Sequence, residues 1–407
     1  MKKIAVITST RAEYGLLKPV IQKLQKSKCL DLQLIVTGTH LSKLYGHTID
    51  IINNDGFGVD ETIDLDLRDN TKHGIANSFS KAVSRFSLFL QKSSTDCVLL
   101  LGDRYETLAF AVSALLHNVP IAHIHGGEVT LGSIDESIRH AITKLSKLHF
   151  AATYDYAARI VQMGEAPKSV FNVGGLGVDV IKQTSLFSQE KLSSSLGVNL
   201  SEYKNKFIIT FHPETCNQDS GLKQLEALLR VLSFRNKDLL VFTMPNSDHG
   251  SKQVRELVNE FVLLHSNAIS FESLGNQRYL SCLSLFDLII GNSSSGILEA
   301  PTFNIATINL GKRQKGRLMS DSVINCGSSD IEINNAINKA LTLEFREICK
   351  SSANPYGIGG ASSQIIEVLE KIEFSKLGTK IFYDIPISTA FENSSLQIRP
   401  INQTIKP

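Results

Sequence analysis

Two α/β domains, each a doubly wound parallel sheet, with a cleft between them, are the architecture this sequence predicts. Three observations carry the prediction. The chain has 407 residues, too many for one ordinary core and suited to two domains of about 150–200 residues. Short apolar runs alternate with amphipathic stretches of helical period along most of its length. The residues able to do chemistry fall just after those runs, where parallel strands present their carboxyl ends to a ligand.

The first run, Lys3–Ile7, opens like a secretion signal, but its apolar residues stop after four and meet Thr8, Ser9, Thr10 and Arg11. It therefore reads as a first strand. A helix around Tyr14–Lys26 and a strand at Leu32–Thr37 follow. A helix near Gly74–Gln91 leads to Asp96–Leu101, a helix from Glu106 to Leu116, and Pro120–Ile124. Helices near Glu136–Leu148 and Tyr154–Met163 flank a strand at His149–Thr153. The Ser-, Lys- and Asn-rich stretch from Gln183 to Lys206 has no strong strand and marks the junction. Phe207–Phe211 restarts the alternation, with strands at Leu239–Met244, Asp287–Ile290, Ala306–Ile308 and Val323–Asn325. Helices are expected near Gly221–Leu232, Ser251–His265 and Ser363–Ile372. The expected domains are 1–177 and 178–370, with 371–407 as a tail packing back on the first.

Composition excludes several classes. An apolar fraction of 42% with 20% charge is that of a globular chain. A net charge of +2 gives no global attraction to nucleic acid or membrane, so an anionic ligand needs a local cradle. The six cysteines show no CxxC or CxH spacing, which points to free thiols in a reducing compartment. No apolar stretch approaches the roughly 20 residues that span a bilayer. A cytoplasmic location is expected.

The strongest anion signal is Gly291-Asn292-Ser293-Ser294-Ser295-Gly296, after one strand and before a helix through Leu298 and Glu299. Such a loop aims backbone N–H groups and serine hydroxyls at an anion; a plain N-capping turn has the same composition. The basic loop Asn309–Arg317 follows another strand and could lie across a diphosphate or simply be solvated. Arg11-Ala12-Glu13-Tyr14 occupies the place where a dinucleotide fold carries GxGxxG. That motif is absent, and Gly174-Gly175-Leu176-Gly177 has the wrong spacing, so no nicotinamide cofactor is expected.

In the first domain, Gly102-Asp103-Arg104-Tyr105-Glu106 puts a carboxylate at the end of a buried strand. Arg104 could pair with Asp103, and Asp103 could cap the next helix. His123-Ile124-His125-Gly126-Gly127-Glu128 places two histidines on one side of a strand, a possible metal pair or buried, hydrogen-bonded rings. Ser133-Ile134-Asp135-Glu136 is a capping-box pattern. In the second domain His212-Pro213-Glu214-Thr215 and Pro245–Gly250 follow strands, on the cleft side.

RAEY, LGDRYE, HIHGGE with DESIRHAITK, FHPET, GNSSSGILE and NLGKRQKGR occur in this order. Over about residues 1–386 the set resembles the hydrolysing UDP-N-acetylglucosamine 2-epimerases, particularly the bacterial enzymes that supply N-acetylmannosamine for sialic acid synthesis. The resemblance implies a glycosyltransferase-B-like fold of two Rossmann-like domains, a UDP-sugar substrate, no cofactor or metal, and a homodimer. It assigns Ser293, Ser294, Ser295 and Gly296 to the diphosphate, Glu299 to the ribose, and Arg11 and Arg317 as helpers. Asp103, Glu128, Asp135 and His212 would line the reacting sugar. Several relatives carry a glutamate at the place of His125, so the proton work there falls to His125 or Glu128. A glycosyltransferase, a metal-dependent hydrolase and a nucleotide-sugar sensor are the alternatives, and a UDP-2,4-diacetamido-6-deoxyhexose is the alternative substrate.

Overall fold

The computed structural model describes residues 1–43, 46–69, 71–130, 134–213, 221–245 and 251–385. Two parallel sheets organise them. The first has β1 (Lys2–Thr8), β2 (Leu30–Thr37), β3 (Glu61–Ile63), β4 (Cys97–Leu101), β5 (Ile121–Ile124), β6 (Leu148–Ala151) and β7 (Val170–Asn172), in the order β3-β2-β1-β4-β5-β6-β7. The second has β8 (Lys206–Thr210), β9 (Leu239–Thr243), β10 (Ala268–Phe271), β11 (Leu288–Gly291), β12 (Ala306–Leu310) and β13 (Val323–Cys326), in the order β10-β9-β8-β11-β12-β13. Strand order reverses at β1/β4 and at β8/β11. In open α/β sheets that reversal opens the crevice where ligands bind.

The strands read as apolar runs because both faces are covered. In the first lobe Ile4, Val6, Leu34 and Leu99 pack on one side with Leu17 and Ile21 of the helix Arg11–Lys26. Ala5, Ile7, Val98 and Leu100 pack on the other with Phe86 and Phe110. The second sheet alternates likewise: Phe207 and Ile209 meet Leu228 and Ile337, and Ile208 meets Leu196 and Leu280. A smaller apolar seam joins the lobes, where Ala151, Tyr156, Ile160 and Val178 meet Ile297 and Tyr356.

The chain crosses between lobes through the helix Leu176–Gln183 and returns before the helix Ala361–Lys371. That returning helix ends the expected range of the second domain, and the family resemblance implies that it crosses back onto the first; it packs in the first lobe's core. Ile365, Ile366 and Leu369 join Ile21 and Leu24 there. Asp179 fastens the two crossings by accepting the amides of Gly360 (2.6 Å), Ala361 (3.1 Å) and Ser362 (2.8 Å). The described part of the tail then straps the first lobe: Phe374 is buried and Lys380 reaches Glu165.

Several elements lie outside the sequence expectation. β3 and β7 are three-residue edge strands, too short for a pattern. The junction stretch holds the helix Gln189–Leu196, capped by Ser188 and anchored by only two buried leucines, Leu192 and Leu196. β10 and the helices Gly275–Leu285, Asp330–Ala340 and Leu343–Ser351 complete the second lobe. Ser133, Glu214, Thr215, Asn246–Gly250 and residues 386–407 lie outside the described residues.

Candidate active site

One wall of the cleft is built from loops after β4 and β5 and from the helix Ile134–Leu145. At its centre stands Arg139, with a side chain only 3% exposed. Its guanidinium binds Asp103, Glu136 (2.9 Å), Thr130 Oγ1 (2.7 Å) and the carbonyl oxygen of Glu128 (2.8 Å). A buried cation needs such compensation, and here the compensation gathers the acids. Burial, with like-charge repulsion from Asp135 and Glu128, raises Asp103 above its ordinary value although Arg139 works to lower it. Glu128 and Asp135 therefore each lie within electrostatic reach of Asp103. Glu136 moves the other way: burial works upward, but the Thr130 amide and Arg139 bring it below its ordinary value.

The alternative reading, an Asp103–Arg104 pair, does not hold. Arg104 turns to Glu106, Nε to Oε1 at 2.5 Å, because adjacent residues on extended backbone point to opposite sides. Nor does Asp103 cap the helix Tyr105–Leu116, whose N-cap residue is Arg104.

The two histidines also separate. His123 is fully buried in β5, with Nε2 2.8 Å from the Gly102 carbonyl and Nδ1 3.3 Å from Thr143 Oγ1. Burial lowers it to about 3, so it is a neutral core histidine. His125 has a positive φ of 65°, which breaks the strand alternation behind the shared-face expectation. Its ring instead sits 3.4 Å from Glu128 Oε1. Among the described residues no three His, Cys, Asp or Glu side chains gather as metal ligands would.

The opposite wall comes from the second lobe. Asn292, fully buried, accepts the His212 amide at 2.7 Å and donates to the His212 carbonyl at 2.8 Å. Arg313 and Gln314 donate to the Asn292 carbonyl at 3.1 and 2.8 Å. Three loops, after β8, β11 and β12, are thereby clipped together. Gly291 is obligatory, since at φ 141° a Cβ would lie 1.9 Å from the Thr210 carbonyl oxygen.

The helix after the serine loop is one turn, Ser295–Leu298, shorter than expected, so its macrodipole is small. Ser293 and Ser294 are partly exposed. The Ser295 hydroxyl faces inward, accepting from Tyr279 at 2.6 Å and donating to Glu299 at 2.5 Å. Burial raises Glu299 despite that bond. Arg11 opens the first helix and is exposed.

The lobes meet at a tyrosine pair. The hydroxyls of Tyr156 and Tyr356 are 3.2 Å apart, and Tyr356 also reaches the Leu318 carbonyl at 3.4 Å. Burial raises both phenols; Glu128 adds to the rise and Arg317 opposes it. The acid of one lobe and the cation of the other thus act on one spot.

A family model described as UDP-N-acetylglucosamine 2-epimerase matches residues 22–370. The chain belongs to the UDP-N-acetylglucosamine 2-epimerase family. Polysialic acid biosynthesis protein P7 of Escherichia coli is 38% identical over 391 residues, 96% of this chain and 99% of that protein. A GDP/UDP-N,N'-diacetylbacillosamine 2-epimerase (hydrolyzing) of Campylobacter jejuni is 38% identical, over 85% of this chain and 89% of its own. The crystal structure of the Neisseria meningitidis UDP-GlcNAc 2-epimerase bound to UDP-GlcNAc superposes with a TM-score of 0.73 at 21% identity, covering 91% of this chain and 100% of that one. The fold is glycosyltransferase-B-like, and the chain is an enzyme of the 2-epimerase family. No described helix is long and apolar enough to cross a membrane.

The sequence reading left Arg139, Tyr279 and the Tyr156–Tyr356 pair without roles. Arg139 had a signal: it lies four residues after Asp135 and three after Glu136, so all three share a helix face. The tyrosines had none, because their partners are distant in sequence.

Proposed function

We propose that this 2-epimerase is of the hydrolysing kind, converting a UDP-linked 2-acetamido sugar and water to UDP and the free sugar inverted at C2. The observation that carries the reading is a buried arginine that binds the carboxylates of Asp103 and Glu136, with Glu128 and Asp135 in electrostatic reach of Asp103, while the other lobe carries the amide-rich serine loop. Ser293, Ser294, Gly296, Arg11 and Arg317 would hold the diphosphate, with Glu299 at the ribose and Ser295 holding Glu299 in place. UDP-bound relatives support nucleotide binding of this kind.

The C2 proton is not acidic by itself, so its removal is coupled to loss of UDP. The C2–H pair forms a C1=C2 bond while the C1–O bond breaks and UDP leaves with its electrons. Water then adds hydroxyl at C1 and a proton arrives at C2 from the opposite face. In this reading Glu128 would take the proton, Asp103 would return one, and Asp135 would direct water. His212 would border the sugar from the second lobe.

UDP-N-acetylglucosamine, yielding N-acetylmannosamine for sialic acid synthesis, is the first substrate reading. A UDP-2,4-diacetamido-6-deoxyhexose is the second, supported by the printed activities of the Campylobacter and Legionella pneumophila relatives. Purified protein given each nucleotide sugar without an acceptor should release UDP and a free sugar, identified by NMR. Release only when an acceptor is added would make it a glycosyltransferase. Loss of activity on exhaustive chelation would make it a metal enzyme.

A further inference from the structure

His125 carries a feature that the reaction above does not use. Its amide still pairs with the Phe150 carbonyl at 2.9 Å, as a strand residue would, yet its φ of 65° throws the ring out of the sheet. The ring then touches two groups. Nε2 lies 3.4 Å from the backbone nitrogen of Leu176, and Nδ1 lies 3.4 Å from Glu128 Oε1. A backbone N–H can only donate, so Nε2 is the acceptor and the neutral ring carries its proton on Nδ1, the nitrogen within 3.4 Å of Glu128 Oε1. The lone pair a general base would need is occupied.

Leu176 opens the helix Leu176–Gln183 that carries the chain from one lobe to the other. The preceding amide, of Gly175, donates to the Tyr356 carbonyl at 2.7 Å, and three residues on Asp179 caps the returning helix. The histidine therefore joins Glu128 to the crossing between the lobes.

We infer that His125 is a positioning residue, which holds Glu128 in line through Nδ1–H and takes its own orientation from the Leu176 amide at the inter-lobe crossing. The inference rests on Glu128 serving in the proposed reaction. Glu128 is then aligned when the crossing helix is seated, which ties proton transfer to lobe position.

The test has an arm that does not depend on turnover. Nitrogen-15 NMR of His125 in the ligand-free protein should find the proton on Nδ1 and a bare Nε2; a proton on Nε2 overturns the inference. If the wild type turns over no UDP-linked 2-acetamido sugar, the proposed function fails while this result stands.

With turnover in hand, His125→Ala should cut kcat by about 100-fold, the cost of misplacing a reacting group, with the Kd for UDP unchanged. His125→Asn keeps a donor toward Glu128 and tolerates positive φ, and should recover to within about 10-fold of wild type, the remainder of that loss. Equal inactivity of the two variants, or an undiminished His125→Ala, contradicts the proposal.

Leu176→Pro removes the amide along with the buried leucine side chain but no helix hydrogen bond, since Pro suits a first helical position and Gly175 is already extended (φ −82°, ψ 130°) as a pre-proline residue must be. Leu176→Ala controls for lost packing. Proline should cost about 10-fold more than alanine in wild type and nothing extra in His125→Ala, the signature of coupled sites. The same extra cost in both backgrounds sinks the link.

Discussion

Asp103 sits where a buried strand ends, and its charge state is a contest between the burial that raises it and the Arg139 guanidinium that lowers it. Replacing it with asparagine keeps shape and removes the proton. Asp103→Asn should therefore lower kcat by more than ~100-fold, within the range of an acid–base group, while UDP affinity measured by calorimetry changes little. A second acid makes a prediction of the opposite kind. Glu13, 8% exposed, is pushed up to about 7 by burial, although the Ser9 amide and hydroxyl both donate to it. Folding then takes up a proton between about pH 4.5 and 7, so this contribution is complete below the unfolded value and lost as pH rises through 7. Glu13→Gln keeps both acceptor bonds without the charge. Its melting temperature should match wild type near pH 4.5 and exceed it above pH 7, by an amount worth about 3 kcal/mol. At this scale the sequence was partly legible: Asp103, Glu128 and Asp135 stood out by address. Which cation would pair with Asp103 did not, because side-chain direction at a strand end depends on backbone angles that composition leaves open.

At the scale of elements, the strand-to-loop junctions do most of the positioning. β8 and β11 run side by side, Thr210 opposite Gly291, so their loops are forced together and Asn292 can bond the His212 backbone twice. Gly291 lets them approach. Gly291→Ala would drive a methyl into the Thr210 carbonyl at a φ that disfavours any side chain, so UDP affinity should fall by at least ~10-fold through displacement of the Ser293–Gly296 loop, with loss of melting temperature alongside; unchanged affinity in a folded protein would remove that loop from the nucleotide site. The buried strands were readable as apolar runs. β3 and β7 were not, since three edge residues hold no periodicity, and the one-turn helix at Ser295–Leu298 was overestimated because Ser, Gly, Ile, Leu and Glu suit a longer helix equally well.

Across the whole molecule, the chain returns to its first lobe and locks itself there. Lys380 donates to the carbonyls of Lys144 (2.6 Å) and Ser146 (2.7 Å) at the end of the helix that bears Asp135 and Arg139, and pairs with Glu165 at 2.7 Å. Burial works to raise Glu165, but His149, Lys144 and Lys380 bring it down to about 2. That stability is present above the unfolded carboxylate value and lost as pH falls toward 2. Lys380→Ala should cost about 2–4 kcal/mol near pH 7, as loss of a partner to a mostly buried charge does, and the gap in melting temperature from wild type should close as the pH is lowered toward 2. The two-lobe plan was visible from repeat length and alternation. The place of the returning helix in the first core follows from the family resemblance and not from its own pattern, because Ile365, Ile366 and Leu369 form an apolar stripe that would suit either lobe.

The proposed reaction ties these scales together: a proton would leave C2 on one face as UDP departs, and another would then arrive on the opposite face. Running the reaction in deuterium oxide and reading the released sugar by NMR tests this most directly. One solvent deuterium at an inverted C2, with UDP freed in equal amount, is the result expected. A released sugar that keeps its original hydrogen at C2 would contradict the account.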